Sequence, residues 1–213
     1  YRAHIFTSSG TFDVTAIDDS YPANIEYLVI AGGGGGGGGY YAGGGGAGGV
    51  RTNLSGHPLA TGNPSFAIAT NGGDGSGSYT VTVGGGGGGG ARVNPGPNGY
   101  DGTNGVDSYF GPPSTPSGIT AKGGGRGMGR ATSEGGATDG YPGGSGGGIA
   151  YRGPAVGYGY NPSTPSPIVP SIPASHPYGI TQGYPGGPAP NVSTYGSSGG
   201  GAGGPGATGG GPN

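Results

Sequence analysis

The sequence contains no cysteine and no tryptophan, and few of its side chains carry a charge. Without cysteine, the chain has no disulfides, no thiolate metal sites and no cysteine nucleophiles. The seven basic and nine acidic residues give a formal net charge of -2. The basic residues are scattered along the chain rather than clustered. This distribution lacks the electrostatic footprint of a nucleic-acid-binding protein, so no nucleic acid is expected as a partner.

Long hydrophobic runs are also missing. The longest apolar run has about six residues, whereas a membrane-spanning helix needs about 20. We therefore expect no membrane insertion, and no signal peptide is recognisable. No segment has convincing helical periodicity. The chain begins at Tyr1 rather than Met, and we expect it to be a piece of a longer protein.

Glycine dominates what is present, with 64 of 213 residues, and proline adds 21. This composition is typical of low-complexity or disordered chains. Disordered chains, however, usually have a high net charge and few aromatics, whereas this one has 15 tyrosines. Uninterrupted glycine runs argue against a collagen triple helix, which needs a strict Gly-X-Y period.

Two joins between an apolar run and a glycine tract organise the chain. Residues 26–31 lead into Gly32 to Gly39, and residues 79–83 lead into Gly84 to Gly90. Alternation predicts a hairpin from strands at 4–7 and 11–17, followed by a third strand at 25–31. Residues 1–31 are thus predicted to be a small β-region that anchors the first tract.

A glycine tract gains order only by pairing its backbone. Glycine loses more conformational freedom on folding than any other residue, and its N–H and C=O groups need partners. The polyproline II helix has three residues per turn and no internal hydrogen bonds, so several such tracts can pack side by side. The rival interpretation is a flexible linker.

The predicted fold is therefore mostly irregular and all-β. A packed bundle, or sandwich, of polyglycine II helices over residues 32–213 follows the β-region, with long Tyr/Pro-rich loops and no significant α-helix. The tracts bounded by Gly32 and Gly39 and by Gly84 and Gly90 are expected in the interior. The tract 123–129 contains Arg126 and Met128 and fits the rim loosely.

No catalytic constellation emerges. The first join formally matches the dinucleotide fingerprint G-x-G-x-x-G, but no helix and no acidic residue follow as that fold requires. The histidines are far apart. Asp101-Gly102 and Asn104-Gly105 are predicted to be turns. We expect a non-enzyme without a cofactor or metal.

Three loops are predicted between the tracts, at residues 51–71, 93–122 and 151–195. Tyrosine has an apolar ring and one hydroxyl, and loop tyrosines form contact surfaces in binding proteins; alternatively, they only cover the bundle. The candidates for receptor binding are Tyr109, Phe110, Tyr158, Tyr160, Tyr178, Tyr184, His57 and His176.

Three motifs carry a family resemblance: residues 4–12 (HIFTSSGTF), 25–32 (IEYLVIAG) and 79–84 (YTVTVG). With the later glycine tracts, they resemble the glycine-rich domain of phage tail-fibre proteins, including the receptor-recognising tip adhesins of T-even-like phages. The resemblance implies a virion-borne, extracellular sandwich of polyglycine II helices whose variable loops bind a bacterial outer-surface protein or glycan. It also implies a tail-fibre shaft subunit as a partner, and a homotrimer is one possible assembly. This chain departs from those adhesins by opening on a β-hairpin instead of a shaft-attachment module.

The predicted function is a phage tail-fibre adhesin domain. Its alternative is a structural subunit of an extracellular or virion fibre in which glycine tracts mediate assembly. An ice-binding protein is a weaker rival, because the 151–195 loop does not suit the short regular repeats of a flat ice-binding face.

Overall fold

The computed structural model describes residues 2–18, 23–60, 65–71, 76–111, 118–130, 143–150, 182–187 and 196–207. Its strands are β1 (Gly10–Asp13), β2 (Asn24–Ile25), β3 (Leu28–Ile30), β4 (Val50–Thr52), β5 (Phe66–Ala67), β6 (Ser78–Thr82), β7 (Ser108–Phe110) and β8 (Ile119–Ala121). No helix occurs in these ranges, and most of their residues lie outside strands. The prediction of a mostly irregular, all-β chain without significant α-helix is confirmed.

The strands form small antiparallel sheets around one aromatic core. The largest sheet has the order β1-β6-β7-β8, and the pairs β2-β5 and β3-β4 stand beside it. Residues of β6 alternate, so that Tyr79 and Val81 are buried. The ring of Tyr79 stacks on that of Phe110 at 5.4 Å, and Phe66 meets Phe110 edge-on at 5.1 Å. This core fixes the strands from which the glycine tracts extend.

The predicted N-terminal hairpin is wrong. Residues 4–7 form no strand, and β1 pairs with β6, with Phe12 opposite Tyr79. The physical reason is packing, because the ring of Phe12 contacts both Tyr79 and Phe110. These aromatic partners are far away in the sequence, so alternation within residues 4–17 could not identify them.

Extended segments outside the strands, called rods, make up much of the rest of the described chain. Rods 1 to 9 comprise residues 31–38, 43–49, 84–91, 99–106, 122–130, 143–150, 184–187, 196–201 and 205–207. Along rod 1 every third N–H group donates to the same neighbour. Gly32, Gly35 and Gly38 donate to the carbonyls of Val106, Thr103 and Tyr100 at 2.8–3.1 Å. A period of three is the signature of the polyglycine II conformation.

The rods form two rows. Hydrogen bonds join rods 3, 1, 2, 8 and 9 in one row and rods 4, 5, 6 and 7 in the other, and further bonds cross between the rows. Rod 1, for example, bonds to rods 2, 3, 4 and 5. A polyglycine II rod has no internal hydrogen bonds. The bundle is therefore held together by hydrogen bonds between rods, many of them distant in the sequence.

The strands that lead into rods do so at one end of the bundle, called the strand end. The hairpin of β3 and β4 continues without interruption into the antiparallel pair of rods 1 and 2. In the same way, β6 and β7 continue into rods 3 and 4. Residues 39–42 and 92–98 connect these rod pairs at the opposite end, called the turn end. That residues 1–31 anchor the first tract stays a prediction.

The glycine tract from Gly84 to Gly90 lies at the edge of the bundle, not in its interior. The N–H groups of Gly87 and Gly90 donate to carbonyl oxygens of rod 1, which runs parallel to this tract. The glycines between them and just before them are exposed, namely Gly85, Gly86, Gly88 and Gly89. The interior position predicted from its pure glycine composition is wrong. Rod 1 is surrounded as expected, and Gly39 lies in the turn with φ +91°.

Much of the predicted loop 93–122 belongs to the scaffold. Residues 99–107 read as three Gly-X-Y triplets, GYD, GTN and GVD. A Cβ at Gly102 would overlap the carbonyl oxygen of Gly35, and one at Gly105 that of Gly32. Both residues are therefore close-packed positions of rod 4. The turns predicted at Asp101-Gly102 and Asn104-Gly105 are wrong.

Candidate functional site

The turn end presents two short connections side by side. Gly39 and Tyr41 have positive φ values of 91° and 58°, which reverse the chain between rods 1 and 2. The N–H of Tyr40 donates to the carbonyl oxygen of Pro97 at 2.8 Å. This bond joins the turn 39–42 to the turn 92–98, so the two form one surface.

Arginines stack on the tyrosines of this surface. The guanidinium of Arg92 lies 4.5 Å from the ring centre of Tyr40, and its Nη2 donates to the Tyr40 hydroxyl at 3.1 Å. Its Nε donates to the carbonyl of Gly96 at 2.9 Å. The guanidinium of Arg130 lies 5.7 Å from the ring centre of Tyr41. Such cation–π contacts hold long side chains in defined positions.

The cluster is open to solvent. Tyr40 is 50% exposed and Tyr41 is 40% exposed, and their ring centres are 6.3 Å apart. In rod 4, the Asp101 carboxylate accepts the N–H of Gly129 through Oδ1. Its Oδ2 lies 3.6 Å from Nη2 of Arg126. The turn end therefore combines exposed aromatic rings with cationic groups, a surface that can stack on a flat ligand and donate hydrogen bonds to it.

The strand end places other predicted residues. Phe110 is 9% exposed and belongs to the core, so its assignment to a receptor surface is corrected. It is buried because the β7 alternation points Ser108 and Phe110 inward and leaves Tyr109 half-buried on the other face. Because β7 lies at the strand end, Tyr109 is far from the turn end.

His57 has a local structural contact. Its ring Nδ1 accepts the N–H of Leu59 at 3.2 Å, and its carbonyl accepts the N–H of Ala60 at 2.9 Å. These bonds close the turn that follows β4. Tyr184 is half-buried in rod 7, where its carbonyl accepts the N–H of Gly146 at 3.0 Å. Neither residue joins the Tyr40 cluster.

The remaining predicted contacts, Tyr158, Tyr160, Tyr178 and His176, lie outside the described residues. So does most of the predicted loop 151–195. That segment follows Ala150, the last residue of rod 6, whose neighbour Ile149 bonds to Ser197 at the turn end. The structure therefore locates where the loop begins.

The residues predicted for the site did not include Tyr40, Tyr41, Arg92 and Arg130. A signal was available, because Tyr40-Tyr41-Ala42 separates two glycine tracts of similar length. Two such tracts can pair as a hairpin, which places the intervening residues at its exposed turn. The position of Arg92 beside them depended on rod packing and had no local signal.

A buried cation lies at the strand end, where Arg51 is 1% exposed. Burial raises the pKa of Tyr27, and the nearby Arg51 guanidinium opposes this by favouring the phenolate through its charge and a hydrogen bond. The Thr52 hydroxyl donates to the Tyr27 carbonyl at 2.8 Å. These contacts bind β4 to the residue before β3.

The described residues contain no group of His, Asp or Glu side chains that could hold a metal ion. Nor does this part of the chain include a helix long and apolar enough to cross a membrane. In comparisons with known proteins, a family model described as a glycine-rich domain matches residues 7–213. No curated protein and no solved structure matches the chain.

Proposed function

We propose, from the premise that the chain belongs to the family of glycine-rich domains, that it is a tail-fibre adhesin domain of a phage. In this proposal it is carried on the virion, outside the cell. It binds a protein or glycan of the bacterial outer surface and is attached to a tail-fibre shaft subunit.

One observation carries the proposal: the bundle has a distinct strand end and an exposed turn end. Rods 1 to 5 run between the two ends and bond to one another along their length. Backbone pairing over this length resists bending and fixes the turns that it connects. A preformed contact surface loses less conformational entropy on binding than a flexible one. The fold therefore suits recognition at the turn end and attachment at the strand end.

The chemistry of the turn end supports a receptor role. Tyr40 and Tyr41 offer large, partly exposed rings with few rotatable bonds, as binding surfaces of other recognition proteins do. Arg92 and Arg130 add cationic donors beside them. The segment that we propose varies with the host is the loop 151–195, which follows Ala150, the last residue of rod 6.

The alternative is a structural fibre subunit. The specific observation in its favour is the exposed glycine edge at Gly85, Gly86, Gly88 and Gly89, where another backbone could pack. An adhesin requires cell binding, whereas a fibre subunit requires assembly into filaments.

The test is binding of the fluorescently labelled chain to a panel of intact Gram-negative bacteria, measured by flow cytometry. The adhesin predicts saturable binding to some strains, which Tyr40→Ala and Arg92→Ala weaken. Tyr109→Ala, at the strand end, is the matched control and should bind as the parent does. Concentration-dependent filaments in electron micrographs, with no cell binding, would favour the fibre subunit instead.

A further inference from the structure

We infer that the edge of the bundle formed by rods 3 and 4 is a contact surface for a second copy of this chain. This surface lies on the side of the bundle, whereas the proposed receptor surface is at the turn end, so a pair of copies can form whether or not the chain binds cells.

Rod 3 has glycine where its own fold does not require it. A Cβ at Gly84, Gly87 or Gly90 would overlap carbonyl oxygens of rod 4. By contrast, nothing lies within 4 Å of a Cβ at Gly85, and the nearest atoms at Gly86 and Gly89 are 3.7 and 3.8 Å away. Any small residue fits at these outward positions and would restrict the unfolded chain more than glycine does. Glycine there is explained if another backbone approaches closely.

The same outward face carries backbone donors that have no partner among the described residues. The N–H groups of Gly85, Gly86 and Gly89 donate to no atom in the part of the chain that the structure describes. In rod 1, such groups bind neighbouring rods on several sides. A row of free donors and acceptors at an edge is a template for pairing with another chain.

A ridge of side chains runs along rod 4 beside this flat face. It consists of Tyr100, Thr103 and Val106, which recur every third residue and are all exposed. Tyr100 is 67% exposed and Val106 is 55% exposed. The Thr103 hydroxyl accepts the N–H of Gly88 at 2.7 Å, which places the ridge directly against rod 3. The edge is therefore an apolar ridge next to a strip without side chains.

A second copy supplies the complement of both features. In a two-fold pair, the same surface is used twice, so that each patch meets its counterpart on the partner. The outward backbone groups of rod 3 then face those of rod 3 in the partner and can exchange hydrogen bonds with them, while the ridge of each copy flanks this contact. Side chains at the outward glycine positions would keep the two backbones apart, so the bare backbone permits this pairing.

Sedimentation velocity of the chain over a range of concentrations tests this assignment. The parent should form a reversible dimer. Gly85→Glu introduces a charge into the proposed interface, and Val106→Lys introduces one into the ridge. Each should raise the dimer dissociation constant by about tenfold or more, because an unpaired charge is desolvated on association. Both sites are open in the single chain, so the melting temperature of the monomer should stay close to that of the parent.

The matched control is Gly203→Glu, the same substitution at an exposed glycine with nothing within 4 Å of its Cβ. Gly203 lies near rods 8 and 9, away from rod 3, and its variant should dimerise as the parent does. If Gly85→Glu fails to fold, Val106→Lys still decides the outcome. A parent that is monomeric at the highest concentration tested, or trimeric, or a dimer unaffected by both edge variants, would overturn the inference.

Discussion

The N–H of Gly34 donates to the carbonyl oxygen of Gly46 at 2.8 Å, and this bond joins the backbones of rods 1 and 2. A Cβ placed on Gly34 would overlap the carbonyl oxygen of Gly125 in rod 5. On the adjacent residue Gly33, a Cβ would find its nearest atom, the carbonyl oxygen of Gly46, at 3.5 Å. Adjacent glycines in one tract therefore have different steric requirements, set by the three-residue turn of the rod.

Gly34→Ala should destabilise the bundle, since rods 1 and 5 must separate to admit the methyl group. We expect the free energy of unfolding to fall by about 1–3 kcal/mol or more, the usual range for overpacking. Gly33→Ala is the matched control, and it should be neutral or stabilising by up to about 1 kcal/mol, because alanine restricts the unfolded chain. Urea denaturation of both variants measures the difference. Equal losses at the two positions would contradict the threefold packing.

Side-chain oxygens complete the hydrogen bonding between rods 4 and 5. The Asp107 Oδ1 accepts the N–H of Gly123 at 2.8 Å. Likewise, the Asn104 Oδ1 accepts the backbone N–H of Arg126, and the Asp101 Oδ1 accepts that of Gly129. These acceptors recur every third residue, so each faces the same neighbour. Asp107 also pairs with Lys122, but both side chains are over a third exposed, and an exposed ion pair contributes little.

Asp107→Ala should therefore lower the free energy of unfolding by about 1–3 kcal/mol, because it leaves the N–H of Gly123 without its acceptor. Asp107→Asn retains a side-chain oxygen and should lose no more than about 1 kcal/mol with the ion pair. Chemical denaturation at neutral pH gives both values. If the asparagine variant were as unstable as the alanine variant, the ion pair rather than the acceptor would carry the effect.

Tyr27 should make stability depend on alkaline pH. Burial raises its pKa above the ordinary 10.0, although Arg51 partly opposes this. The folded chain thus holds the phenolic proton more tightly than the unfolded chain does. The contribution is fully present below pH 10.0 and is lost as the pH rises through the raised pKa of the folded state.

Tyr27→Phe has no proton to lose at this position, so its stability should fall less steeply at alkaline pH than that of the parent. The measurement is the change in unfolding free energy between about pH 8 and pH values above 10. Taking this change within each protein removes the constant effect of losing the hydroxyl. An equally steep fall in both proteins would show that Tyr27 ionises as readily in the folded chain as in the unfolded one.

Replacement of residues 151–195 should change host range without unfolding the bundle. The segment joins rods 6 and 8 and includes rod 7, so a replacement that keeps residues 182–187 preserves the bonds of Gln182 and Tyr184 to the scaffold. Adsorption to a bacterial panel, together with the melting temperature, measures the two effects separately. Unchanged adsorption to every strain by a folded variant would remove this segment from the proposed receptor surface.

Some of the site could be predicted from residues and some could not. Tyr158, Tyr160, Tyr178 and His176 remain predictions, since they lie outside the described residues. Phe110 lies in the predicted loop 93–122 and was a candidate contact residue, yet its position in β7 buries it in the core. Tyr40 and Arg92 meet across two turns distant in sequence. Side chains brought together by rod packing leave no local pattern.

The sequence by itself determined that strands lead into glycine tracts, that no helix would form in the described chain, and that the tracts would need one another. These conclusions follow from local properties: apolar alternation favours strands, and bare backbone requires external partners. Only the tertiary structure decided that β1 pairs with β6, that residues 99–106 form a rod, and that Gly84 to Gly90 lies at the edge. The reason is that a threefold helix has no internal hydrogen bonds. Its neighbours are chosen by the whole bundle, so two tracts of pure glycine with similar local sequences occupy an enclosed position and an exposed one.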